Sequence, residues 1–190
     1  MINKFVFILF VCCSSLYAGD LTFFREDINF KIDEEYFYVD GIYYFHNNSG
    51  NELKRILFYP IPQDSLYGKV DSIYAVGISD SINKIIKINN KGAFFKVDII
   101  PQGDKKINIS YKQKLLGNKA EYILVTTKNW GQPLKIVNYT LDIPKNIIVD
   151  SFSYMPDSLK TVSKSHIFYY NKKDFMPKKN MIILFHQKKD

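Results

Sequence analysis

The chain has 190 residues, of which 46% are hydrophobic and 16% aromatic, enough for one domain with a substantial core. Its two cysteines, Cys12 and Cys13, both lie in the N-terminal leader, so a disulfide framework is excluded and packing must supply the stability. The formal charge of +7 rests on scattered lysines, with arginine only at Arg25 and Arg55, which argues against a nucleic-acid reader.

Lys4 supplies a positive n-region, Phe5 to Cys13 an apolar core, and Ser14, Ser15 and Ala18 the small residues of a cleavage site. That is the pattern of a secretory signal peptide over residues 1–18, cleaved after Ala18. The apolar run is too short for a membrane span, which takes about 20 residues. Val11 and Cys12 are poor residues just before a lipidated cysteine, so a lipoprotein is the lesser reading. The expectation is an exported protein, periplasmic or extracellular, with residues 19–190 forming a single domain.

Residues 19–40 hold seven acids against Arg25 and Lys31, a net of −5, whereas residues 160–190 hold eight lysines against Asp174 and Asp190, a net of +6. The plain reading is a set of solvated faces. The sharper one pairs the first strand with the last, or lets a basic C-terminal region meet an anionic envelope surface. Lys172, Lys173, Lys178, Lys179, Lys188 and Lys189 would form that surface.

After the leader, Leu21 to Phe24 reads as a short strand, and Ile28, Phe30 and Ile32 alternate with Asn29 and Lys31 as a second, half-buried one. From Tyr36 to Phe45 the alternation is sharper. Phe37, Val39, Tyr43 and Phe45 fall on one face, and Tyr36, Tyr38, Asp40, Ile42 and Tyr44 on the other. The Asn-rich stretch His46–Asn51 is turn chemistry, and Ile56 to Tyr59 stops at Pro60 and Pro62, so a long antiparallel hairpin is expected here. Val70 to Ile78 is another strand. Lys84–Ile88 and Ala93–Ile99, joined by Asn89-Asn90-Lys91-Gly92, form a further hairpin. Lys105 to Leu115 gives the cleanest period of two, with Ile107, Ile109, Tyr111, Gln113 and Leu115 in one phase. Tyr122 to Thr127 is apolar on both faces and reads as a central strand. Val137 to Ile143, Ile147 to Tyr154, Ser165 to Tyr170 and Met181 to His186 complete the strands, with room for a turn or two of helix in Asp157 to Lys164. The fold expected is all-β, an antiparallel sandwich of about ten strands.

Few residues point to chemistry. His46, His166 and His186 have no second ligand at metal-motif spacing, so neither a metal nor a cofactor is expected. No G-x-S-x-G elbow, H-E-x-x-H, phosphate loop or dinucleotide fingerprint occurs. Glu34 and Glu35 are adjacent, as are Glu26 and Asp27, and adjacent strand residues point to opposite faces, so neither couple forms a carboxylate pair. Trp130, in a polar loop, either plugs one end of the sandwich or stacks on a sugar or a peptide together with Tyr36, Tyr38 and Tyr44.

The aromatic strand, the Asn-rich turn with F-Y-P-I-P, then Y-I-L-V-T-T-K-N-W-G-Q-P-L and Y-T-L-D-I-P, resemble an uncharacterised family of exported bacterial β-sandwich domains over roughly Tyr36 to Tyr154. The same succession is similar in architecture to the N-terminal β-domain of aminopeptidase-N-type zinc aminopeptidases. The resemblance implies architecture and export and carries over no active site. The function expected is therefore non-catalytic: protein contacts with an envelope partner, with a carbohydrate- or peptide-binding module or a scaffold relative of a peptidase β-domain as the alternatives.

Overall fold

Side-chain alternation decides where each strand lies. The computed structural model describes residues 19–62 and 67–188, so the leader, its cleavage site and Lys189 lie outside the described residues. Thirteen strands are formed among these residues: β1 (Leu21–Ile32), β2 (Tyr36–Asn47), β3 (Leu53–Pro60), β4 (Val70–Gly77), β5 (Ile85–Asn89), β6 (Gly92–Ile99), β7 (Asp104–Lys114), β8 (Lys119–Tyr122), β9 (Leu134–Pro144), β10 (Ile147–Phe152), β11 (Ser158–Thr161), β12 (Ser165–Phe175) and β13 (Met181–Gln187). The all-β expectation holds, with short extra strands raising the number.

The strands make one seven-stranded sheet, β11-β12-β9-β1-β2-β7-β4, and two three-stranded sheets, β3-β6-β5 and β10-β13-β8. Both small sheets cover the same face of the large one. Tyr43 of β2 meets Tyr59 of β3 (centroids 5.5 Å apart) and Phe45 meets Phe95 of β6 (6.5 Å), while Phe30 of β1 meets Tyr122 of β8 (5.2 Å). The buried row Phe37, Val39, Tyr43, Phe45, with Ile107, Ile109, Leu141 and Ile143, fills the space between the layers. All pairs are antiparallel except β1 with β9, which run parallel.

Several expectations are corrected. β2 and β3 are not a hairpin: both edges of β2 are taken, by β1 and β7, and β3 pairs with β6 in the facing layer. The connection is a corner between layers, fixed by buried Asn47, whose amide donates to the carbonyls of Asn51 (2.8 Å), Ile100 (3.0 Å) and Ile99 (3.3 Å). The first and last strands are not neighbours either, because β1 sits centrally in the large sheet and β13 in a small one. Asp157 to Lys164, where the sequence left room for a turn or two of helix, contains the exposed edge strand β11, its pairing with β12 anchored by Asp157, which accepts the N–H of Asn171 (2.7 Å). The β5–β6 hairpin and the long strand β7 form as expected.

Candidate functional site

Strand β1 changes phase part-way along. Phe23 stands opposite Phe45 and Arg25 opposite Tyr44, so Phe24 is an extra residue, a β-bulge. Before it Leu21 and Phe23 face the core; after it Glu26, Ile28, Phe30 and Ile32 do. The bulge thus carries a carboxyl into the interior, where Glu26 is only 2% exposed.

Tyrosines from four further strands close around that carboxyl. The Tyr139 hydroxyl on β9 donates to Glu26 Oε1, and the Tyr122 hydroxyl on β8 lies 3.4 Å from Oε2. Tyr122 is in turn 2.9 Å from the hydroxyl of Tyr43 on β2, which is 2.7 Å from that of Tyr59 on β3. Gly41 makes room for this chain, since a Cβ there would lie 2.8 Å from the Tyr43 ring and 2.9 Å from its hydroxyl. Burial pushes the Glu26 carboxyl up to about 7, more than the Tyr139 and Tyr122 hydrogen bonds pull it down. The same burial holds the phenols of Tyr43, Tyr59, Tyr122 and Tyr139 well above their ordinary range. Near neutral pH, Glu26 is therefore the member of this cluster that changes charge.

Beside Glu26 is a cavity of about 70 Å³, walled by Tyr43, Tyr59, Tyr122, Thr127 and Trp130 among others. It lies where the facing layer is divided. β3 and β8 are edge strands of their sheets, and the rings of Tyr59 and Tyr122 meet across the division at 6.5 Å. An outer groove of about 400 Å³ shares Phe58, Pro60, Thr126 and Trp130 with the cavity and adds Leu21, Arg55 and Leu57.

One wall of both spaces is a 3-10 helix, Val125–Trp130, in place of the central strand expected through Thr127. Strand pairing stops at Tyr122 because the Asn180 side-chain oxygen accepts the N–H groups of Leu124 (3.0 Å) and Val125 (3.1 Å), which then take no part in a ladder. Gly131, at φ 70°, ends the helix by donating to Lys128. Trp130 packs against Phe23 (5.6 Å) and Phe45 (5.9 Å), so the indole is half-buried and closes one end of the sandwich while forming the lip of the groove.

The other residues singled out from sequence lie elsewhere. Tyr36, Tyr38 and Tyr44 are on the outer face of β2, across the large sheet from Trp130, because neighbouring strand residues alternate. Cations lie over their rings: Lys112 is 3.6 Å from Tyr36, Lys31 5.5 Å from Tyr38, and Arg25 4.7 Å from Tyr44. Burial and a hydrogen bond to Asp33 push the Tyr38 phenol up to about 12. The described C-terminal lysines are carried on β12 and at both ends of β13. Lys172 is paired with Asp157, and Lys178 and Lys179 precede β13 while Lys188 follows it, roughly 23 Å further along at strand rise.

The histidines are separate. His46 Nδ1 is 2.7 Å from Asp104, His186 Nδ1 is 2.7 Å from Asp150, and His166 Nδ1 is 3.0 Å from the Thr161 hydroxyl. Among the described residues no group of three or more His, Cys, Asp or Glu is placed to hold a metal ion. From sequence, Glu26 counts only as a neighbour of Asp27, although it shares the phase of Ile28, Phe30 and Ile32, which is the signal that places it in the core.

Solved structures share this architecture. A Legionella pneumophila protein provisionally described as nutrient-binding is similar at a TM-score of 0.64 and 10% identity, over 87% of this chain and 67% of that one. A two-domain M1 zinc metallopeptidase, solved as a mutant bound to L-arginine, is similar at a TM-score of 0.52 and 7% identity, over 87% of this chain and 42% of that one. The chain thus spans less than half the length of that peptidase, and at these identities the likeness is one of fold. A search of curated protein sequences finds no match. Both resemblances drawn from the sequence are met, the second by the metallopeptidase and the first by a family of unknown function: residues 98–184, from the end of β6 into β13, match the model described as Domain of unknown function (DUF4424).

Proposed function

We propose that the chain is a non-catalytic binding module that works in the cell envelope after export, and that it engages its partner through the groove beside Trp130. The observation that carries this reading is the continuity of an apolar, aromatic-lipped groove with an interior cavity, at the one place where the facing layer is divided between β3 and β8. Sites of this form, concave and mostly apolar with a few placed polar groups, bind ligands and partner segments. The chemistry at its floor favours contact over turnover. It presents one carboxyl and a set of phenols whose burial keeps them protonated, with no second carboxyl, thiol or imidazole among the lining residues.

Site-specific photo-cross-linking in intact cells tests this. A cross-linking residue at position 58, on the lip, is expected to capture an envelope component. The same residue at position 38, on the opposite sheet face, is not. Equal capture from both positions, or none from position 58, would overturn the assignment, as would recovery of the intact precursor from the cytoplasm.

A further inference from the structure

We propose that the Glu26 cavity is a binding site for a primary ammonium group, carried on an apolar stem that lies in the outer groove. This rests on the groove reading above and names the chemistry at its inner end. Three observations converge on it. The wall of the cavity has one ionisable carboxyl and no lysine, arginine or histidine, so Glu26 has no countercharge there. A buried carboxylate lacking one is costly, and a cation entering the cavity removes that cost. Much of the rest of the wall is aromatic, with Phe23, Tyr43, Tyr59, Tyr122 and Trp130 lining the same space, the surroundings that attract an organic cation.

The third observation is size. A volume of about 70 Å³ takes a head of a few heavy atoms, whereas the groove of about 400 Å³, lined by Leu21, Leu57, Phe58 and Trp130 together with the polar Arg55 and Asn129, takes the chain behind it. The phenolic oxygen of Tyr122, in the cavity wall beside the carboxyl, accepts an ammonium proton that Glu26 leaves over, while Tyr139 holds the carboxyl from outside the cavity. The groups facing Glu26 are Tyr139 from β9, Tyr122 from β8, Tyr43 from β2 and Tyr59 from β3, all held protonated by burial; Asp27, its neighbour on β1, points to the outer face and bonds Arg25, Tyr44 and Asn138. Ammonium binding is therefore linked to loss of the Glu26 proton alone.

The test uses n-hexylamine and 1-hexanol, which share a stem and differ in the head, titrated into the full chain and followed by Trp130 fluorescence and calorimetry. At pH 8 the amine is expected to saturate at least tenfold more tightly than the alcohol. Its affinity should fall about tenfold at pH 6, where Glu26, with its carboxyl at about 7, is mostly protonated while the amine remains charged. Glu26→Gln should bind both probes alike. Equal affinity for amine and alcohol in the unmutated protein, or an amine preference that survives in Glu26→Gln, would sink the inference while leaving the groove reading standing. Failure of both probes to saturate would sink both. Competition by a short peptide with a free amino terminus, against its N-acetylated form, separates a peptide end from a free small amine as the source of the head.

Discussion

The Tyr139 hydroxyl donates to the Glu26 carboxylate across β9 and β1, the parallel pair at the centre of the large sheet. Even with that bond, burial prevails and the carboxyl rises from 4.5 to about 7. The native state therefore holds a proton that the unfolded chain has already lost. Stability from this group is complete below pH 4.5 and is lost as pH rises through about 7, a difference of about 3 kcal/mol. Urea denaturation at pH 5 and pH 8 measures it: Glu26→Gln, which can still accept from Tyr139, should be more stable than the unmutated protein at pH 8 and should flatten the profile. An unchanged pH profile in the variant would contradict the assignment.

Tyr36, Tyr38 and Tyr44 lie on the face opposite the groove, so replacing all three with serine should leave hexylamine affinity within about twofold. Stability should fall more visibly through Tyr44, whose hydroxyl donates to Asp27 at 2.7 Å; Tyr44→Phe alone is expected to cost about 1–2 kcal/mol in chemical denaturation. A tyrosine triple variant that abolished binding would place the site on the wrong side of the sheet.

Asn47 holds the corner at which the chain leaves the large sheet for the facing layer. Besides its three donated bonds, its side-chain oxygen accepts from the Ser49 N–H (2.9 Å) and hydroxyl (2.7 Å). Asn47→Ala leaves buried carbonyls without a donor and should cost about 2–3 kcal/mol, read as a lower denaturation midpoint with unchanged slope.

Gly92, at φ 147° where β6 begins, pairs with Pro60, and a Cβ there would lie 2.0 Å from the Tyr59 carbonyl oxygen. Gly92→Ala combines left-handed strain with displacement of the end of β3, and a loss of about 3 kcal/mol is expected. Because Tyr59 and Pro60 line the cavity, near-ultraviolet circular dichroism should change along with the midpoint.

Periodicity made most of the strands readable. The inward rows of β2, β7 and β9 follow from their alternation, since one side of each must be dry. Partners were less readable, because Ile56 to Tyr59 alternates equally well as a hairpin arm or as a strand in the opposite layer. What decides between them is Asn47, a residue that passes for ordinary turn chemistry until its amide is seen to reach Ile99 and Ile100. The apolar run from Tyr122 to Thr127 fits a strand on composition, and Asn180, more than fifty residues away, turns it into a helix. Glu26 sits between two well-patterned segments of opposite phase. Joining them requires one surplus residue at Phe24, and acceptance of that surplus places an acid in the core.

The parallel contact between β1 and β9 also governs when this protein can finish folding. Arg25 stands opposite Ile136, so one flank of the central strand waits until most of the polypeptide has been made. Such distant pairing belongs to chains that fold over milliseconds to seconds. Meanwhile the nascent β1–β2 ribbon presents bare amides and carbonyls, a liability that a helper protein or a rapid supply of the remaining chain would have to contain.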